Sequence, residues 1–354
     1  MKSKRVTPAK RAHISFLGWC LSCLVASMTA TAQSVVDGKV DRLDPALDAL
    51  IEPGTIAELL KGDYFGYLEG PTWVRNGGYL LFSDVPANRI YKWSKGQLFT
   101  FLDKSGFTGT DSSKAGVELS NGRLQVVGLG SNGITLDPQG RVVFCAHGDR
   151  AVKRLEEGGQ VTPLVDKFEG KRFSGPNDLV YRSDGTLYFS DRESGLRGGA
   201  SSPYREIPYN GLFMLKDGKV RLVDKDPPGP NGLALSPDER YLYVGFGPNI
   251  MRYQVQRDGT LTNRTVHFTL QGSGARASTD GMRVDRDGNL YIAGSGGVWV
   301  VTRDAHHLGT IGFSAVTNVA FGDQDGKSLY IMARRDLYRI RLKVAGALFG
   351  SSSR

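Results

Sequence analysis

The chain has 354 residues, 40% of them hydrophobic and 23% charged, with 46 Gly and 15 Pro. That length suffices for one large domain, and the turn-rich composition suits an all-β chain better than a helical one. The formal charge of +9 carries no nucleic-acid signature: five of the excess bases lie in residues 1–32, which hold no acid, and the remaining +4 is scattered, without a basic stripe or interleaved aromatics.

Residues 1–32 read as a signal peptide. Positions 1–13 are basic, 14–28 form an apolar run shorter than the ~20 residues of a membrane span, and Ala30-Thr31-Ala32 is a small-x-small cleavage site. Cleavage after Ala32 is expected, with export to the periplasm or medium and no stable membrane insertion; the alternative is an uncleaved anchor. Lys10-Arg11 is not a twin-arginine pair, which favours the general secretory route. Cys20 and Cys23 fall in this leader, so Cys145 is the one mature cysteine and is expected to pack in an apolar strand. Residues 33–54 read as an N-terminal lead-in, mobile over the polar stretch 33–46. Residues 55–67 pass along an outer edge and help to close the fold, or form a helical turn at 56–60.

From residue 69 one unit recurs: a polar residue, a short apolar strand, a turn, and a second strand. Glu69-Gly-Pro-Thr-Trp leads to 80–84, followed by strands near 88–93 and 97–102. The connection 107–127 is long, carries the hairpin signal Glu118-Leu-Ser-Asn-Gly122, and is expected to project as a lid. Asn132-Gly-Ile-Thr-Leu-Asp-Pro-Gln-Gly leads to 141–145 and on to His147; Asn177-Asp-Leu-Val-Tyr leads to 186–190 and a Gly/Ser-rich rim at 194–208. Asn231-Gly-Leu-Ala-Leu leads to 241–244, Asp280-Gly-Met-Arg-Val to 289–293, and Thr317-Asn-Val-Ala-Phe to 328–332. Residues 343–354 read as a frayed C-terminal tail. Copies begin roughly 40 to 60 residues apart, the period of a propeller blade. The fold expected is an all-β, six-bladed β-propeller over residues 55–342.

The first position of each copy reads Glu69, Asn132, Asn177, Asn231, Asp280 and Thr317. Equivalent positions of a radial repeat share radius and height. If these face the central channel, two carboxylates and up to three amide oxygens converge into a hard-oxygen cage for a divalent cation. Without His or Cys in the ring, a nitrogen- or sulfur-rich zinc site is disfavoured. The alternative for each Asn or Asp before Gly is a turn residue; a turn does not account for Glu69-Gly-Pro.

Several of these strings together carry a resemblance: Glu69-Gly-Pro, Asn132-Gly-Ile-Thr-Leu-Asp, Phe168-Glu-Gly-Lys-Arg, Pro176-Asn-Asp, Pro230-Asn-Gly-Leu-Ala-Leu-Ser-Pro-Asp and Asp280-Gly-Met. In order and spacing they resemble the senescence-marker-protein/gluconolactonase family, also called regucalcin-like, across roughly residues 65–342. The resemblance implies a six-bladed propeller with calcium or zinc in its channel, held by Glu69, Asn231 and Asp280, with Asn177 as a further ligand or a substrate contact. It also implies hydrolysis of sugar lactones. Ser190-Asp-Arg-Glu-Ser-Gly195 departs from the Thr-Asp-Pro-Pro-Tyr-Gly of many bacterial members, which bears on substrate choice.

In such a site the cation polarises the lactone carbonyl. Asp280 is the candidate base, or else only a ligand. Asn132 and Asn177 orient the substrate. His147 serves as a proton shuttle or hydroxyl partner, its alternative being a hydrogen-bonded strand-end residue. Ca2+ suits the oxygen set best, with Zn2+, Mn2+ or Mg2+ as alternatives. Two competing functions remain: a paraoxonase-like esterase on apolar substrates, which calls for a histidine pair at the mouth, and a non-enzymatic calcium-binding propeller.

Overall fold

The computed structural model describes residues 37–226, 228–271 and 277–347. The leader reading at 1–32 lies outside the described residues. Six small antiparallel sheets stand in a ring, each with its first strand innermost, and successive innermost strands touch around the axis until the last meets the first. This is the six-bladed β-propeller that the repeat spacing predicts.

Blade 1 comprises Leu68–Val74, Tyr79–Asp84, Arg89–Ser94 and Gln97–Asp103. Blade 2 runs from Ser131–Leu136 to Val161–Val165, blade 3 from Pro176–Tyr181 to Lys219–Asp224, and blade 4 from Leu233–Leu235 to Leu261–Thr269. Blade 5 begins at Thr279–Val284 and blade 6 at Asn318–Gly322. In blades 2 to 6 an aspartate sets the turn after the inner strand, whereas blade 1 turns through Arg75–Gly77. In blade 2 Asp137 Oδ1 accepts the amides of Gln139 and Arg141, and in blade 5 Asp285 Oδ1 accepts those of Asp287 and Asn289. The Asp-x-x-Gly strings in the sequence are these turns.

The core is divided among the seams between blades. Leu81 and Ile90 of blade 1, for instance, pack on Ile134, Val142, Phe144 and Ala146 of blade 2. Each of the six seams holds one such cluster. Burying each large apolar side chain contributes about 1.5–3 kcal/mol. Cys145 is free and fully buried in the seam between blades 2 and 3, as the packing expectation had it.

Ring closure comes from the N-terminal side. Glu58–Lys61 pairs with Asp336–Arg341 as the outer strand of blade 6, which decides against a helical turn at 56–60. Val40–Arg42 adds a fifth strand to blade 5 through His307–Gly312, and Leu47 and Ile51 are fully buried beside it. The stretch expected to be a mobile lead-in is therefore structural from Lys39 onward. The expected tail at 343–354 is corrected in the same way. Val344 and Ala345 are buried, Arg286 donates its amide to the Ala345 carbonyl, and Gly346 bridges to Asp285.

One face of the wheel carries the longer connections. The hairpin signal at 118–122 is a real hairpin, Val117–Ser120 with Gln125–Gly128. It is fastened to the loop after Leu187–Asp191: Gly116 donates its amide to the Gly195 carbonyl, and Glu118 lies 3.5 Å from Arg197. At its tip Arg123 reaches Asp63 at 2.6 Å, on the strap leading into blade 1. The two excursions thus form one connected structure on the face that bears the starts of the inner strands.

Candidate active site

The inner strands all run away from this face, so their first residues gather at one mouth of the channel. Glu69, Asn132, Asn177 and Asp280 each sit second in their strand, and Asn231 lies two residues before its own. These positions are strand starts rather than turns. The glycine that follows Glu69, Asn132, Asn231 and Asp280 is required by the neighbouring blade: a Cβ at Gly70 would lie 2.0 Å from the Asn132 carbonyl oxygen, and one at Gly232 2.3 Å from that of Asp280. Close approach of the inner strands, not turn chemistry, explains the repeated Asn-Gly and Asp-Gly.

Glu69 and Asp280 are brought together. Burial pushes the Glu69 carboxyl well above the usual carboxylate range, and the nearby charge of Asp280 adds to this. Asp280 is raised as well, first by burial and then by Asp178, with the Arg192 guanidinium and the Asn231 amide pulling the other way. Glu69 is aimed by two donors to Oε2, the Asn318 side-chain amide at 3.3 Å and the Gly70 backbone at 3.2 Å. Asn231 Nδ2 donates to the Thr279 carbonyl at 3.2 Å, while its Oδ1 is buried with no hydrogen-bond partner. Asn132 and Asn177 are buried on the adjoining strands of the same rim and make no hydrogen bond to either carboxylate.

Thr317, the sixth ring position, does not join them. Its hydroxyl is turned into the wall, donating to the Leu68 carbonyl at 2.6 Å. Asn318 takes its place. It and Asp178 occupy the repeat position that is glycine in the other four blades, which is the sequence signal that could have found both. Asp178 accepts the amides of Leu179 and Leu233 and lies 4.0 Å from Arg283, whose guanidinium crosses the channel to the carbonyls of Met282 and Pro71. A separate cavity of about 130 Å³ opens beyond Arg283, at the other end of the channel. It contains none of the repeat-position residues, so the site belongs at the carboxylate end.

His147 lies in the loop after the second strand of blade 2. It is buried, and neither ring nitrogen has a hydrogen-bond partner. Burial, assisted by the Arg192 charge, lowers its pKa to about 3, so the imidazole is neutral across the physiological range. The strand-end hydrogen bond considered as its alternative role is absent. Arg192 follows the second strand of blade 3, and its Nη1 donates to the Pro230 carbonyl at 3.3 Å, immediately before Asn231. Tyr67 and Arg334 stand on the opposite side of the mouth, where burial and the charges of Asp280 and Glu69 raise the Tyr67 hydroxyl. These three were not singled out from sequence, because the loops that carry them differ in length from blade to blade.

Among the described residues no group of three or more His, Cys, Asp or Glu side chains is placed to hold a metal. The donor set at this mouth is instead two carboxylates with amide oxygens.

The SMP-30/Gluconolactonase/LRE-like region matches residues 68–335. The chain is 35% identical over 358 residues to a gluconolactonase of Zymomonas mobilis, an alignment covering 92% of this chain and 97% of that protein. It superposes with a TM-score of 0.71 on a gluconolactonase of Xanthomonas campestris at 28% identity, covering 89% of this chain and 99% of the other. It is 24% identical over 279 residues to regucalcin of Oryctolagus cuniculus, covering 76% of this chain and 83% of regucalcin. The chain belongs to the SMP-30/gluconolactonase family.

Proposed function

We propose that this protein is an exported, cation-dependent lactonase, gluconolactonase-like, which hydrolyses a sugar lactone to its hydroxy acid. The observation that carries the reading is the pair of buried carboxylates, Glu69 and Asp280, beside the unpartnered Oδ1 of Asn231. Two such carboxylates repel, and a buried carbonyl oxygen without a donor costs about 1–3 kcal/mol. A divalent cation relieves both, so the residues present fit one. Glu69, Asn231 and Asp280 would hold it, with Asn177 from the same rim, and an all-oxygen set favours Ca2+ over Zn2+, Mn2+ or Mg2+.

When bound, the cation supplies Lewis-acid polarisation of the lactone carbonyl. The chain's own groups do the rest. Asp280 takes the proton of the attacking water and returns it to the ring oxygen as the acyl C–O bond opens, which balances the hydrolysis. Glu69, fixed by Asn318 and Gly70, keeps its carboxylate turned into the mouth. Asn132 and Asn177 bind substrate hydroxyls through their amides. His147, neutral and unpartnered, offers one further donor and one acceptor.

A paraoxonase-like histidine pair is not favoured. Among the described residues His267 packs on Tyr243, His306 pairs with Asp44 and His307 stacks on Trp299, all on outer strands or loops. Export rests on the composition of residues 1–32, and N-terminal sequencing of the secreted protein should begin at Gln33. The function is tested by pH-stat hydrolysis of sugar, aliphatic and aryl lactones, with chelator and then with each cation restored. Sugar lactones should be hydrolysed only with cation. Hydrolysis that survives full chelation, or that is confined to aryl esters, contradicts the reading.

A further inference from the structure

Arg192 and Arg334 are the first residues after the second strands of blades 3 and 6, which face one another across the axis. Both are half-buried at the mouth. Neither has an ion-pair partner among the described residues. Asp191, the residue before Arg192, is spent elsewhere: its carboxylate accepts the backbone amides of Ser174 and Gly175 at 3.0 and 2.8 Å. Arg192 instead lies over the site, anchored by one Nη to the Pro230 carbonyl, with its remaining N–H groups uncommitted.

Charge counting gives the consequence. Asp178 is offset by Arg283 below the ring. A divalent cation offsets Glu69 and Asp280. Two guanidinium groups are then left at the mouth with no ion-pair partner among the described residues, and a neutral sugar supplies none. From this excess of positive charge we infer that the lactone carries an anionic group, a carboxylate or a phosphate, remote from the ring carbonyl, and that Arg192 recognises it. A guanidinium offers such a group paired N–H donors in one plane, and the neutral His147 beside it supplies a further donor. The inference rests on the lactonase reading and narrows its substrate class.

The test compares three lactones of one ring size on the cation-loaded enzyme: a neutral aldonolactone, the same lactone with a terminal carboxylate, and the same with a terminal phosphate. At least one anionic lactone should have a kcat/KM roughly tenfold above the neutral one, through KM. Arg192→Met should bring that ratio to near one, and Arg192→Lys should restore part of it; the preferred arm distinguishes carboxylate from phosphate. A second readout does not need turnover. By calorimetry the ring-opened dianions should bind more tightly than the monocarboxylate, and Arg192→Met should erase the difference. A wild-type preference for the neutral lactone, or an Arg192→Met loss equal on all three, overturns the inference while leaving the lactonase reading intact. If no lactone is hydrolysed the lactonase reading fails, and the calorimetric ratio alone decides the role of Arg192.

Discussion

At the scale of single residues, the site is built from side chains whose ionisation or hydrogen bonding is left incomplete by the fold. Asp280 is assigned the proton transfer, so Asp280→Asn should lower kcat/KM by about 10²- to 10⁴-fold, while melting cooperatively as the wild type does when both are freed of cation by chelator. Loss of folding instead would mean that Asp280 is structural. His147 gives a prediction about stability. Its folded pKa, about 3, lies below the unfolded value of 6.5, so between these values the unfolded chain takes up a proton that the native protein refuses. The neutral imidazole is therefore without penalty above pH 6.5, and the native state loses stability as pH falls from 6.5 toward 3. The loss is at most about 1.4 kcal/mol per pH unit. Denaturant titrations of wild type and His147→Gln should show a difference that is flat above pH 6.5 and turns against the wild type below it. A pH-independent difference would mean that folding does not shift the His147 pKa, and a difference that turned in favour of the wild type at low pH would mean that the fold holds it protonated. Much of this was legible in the sequence: Glu69, Asn231 and Asp280 stand out because the repeat puts them in register. Arg192 and Arg334 were not legible, because the direction of a loop side chain depends on packing that no periodicity records.

At the scale of elements, the inner hairpins announce themselves through the recurring polar residue, short apolar strand, turn and second strand, and so all six blades could be placed. The closure could not. Val40–Arg42 and Glu58–Lys61 pair with strands roughly 270 to 280 residues away, and a short edge strand carries too few residues to show a period. The buried Leu47, Leu50 and Ile51 that lie between these two strands contribute roughly 5–9 kcal/mol together at 1.5–3 kcal/mol each. Beginning the chain at residue 62 should therefore abolish cooperative unfolding or lower Tm by more than 10 °C, on the order expected for such a loss. A truncated protein that melts like the mature one would show that the ring closes without its N-terminal strands. The C-terminal stretch was misread for a related reason: Val344 and Ala345 are too few to look like an element, yet they seal the seam that Leu47 begins.

At the scale of the whole molecule, the propeller turns distance along the chain into proximity at the axis. Glu69 of blade 1 and Asp280 of blade 5 are separated by more than two hundred residues, and the inner strand of blade 6, which touches the inner strands of both, closes the ring that brings them to one mouth. A cation held by Glu69, Asn231 and Asp280, as proposed, would fasten blades 1, 4 and 5 together. Saturating cation at 100 times Kd should add about 2.7 kcal/mol of stability, read as a Tm increase that chelator reverses, and Glu69→Gln should forfeit it. The lid hairpin and the rim loop belong to this scale too. They join blade 3 to the strap before blade 1. The cation site is tested most directly by a calorimetric titration of Ca2+ into the protein, in parallel with Glu69→Gln, Asn231→Ala and Asp280→Asn. The result expected is one site per chain in the wild type and at least a tenfold loss of affinity in each variant. Wild-type stoichiometry of zero, or affinity untouched by all three substitutions, would contradict it.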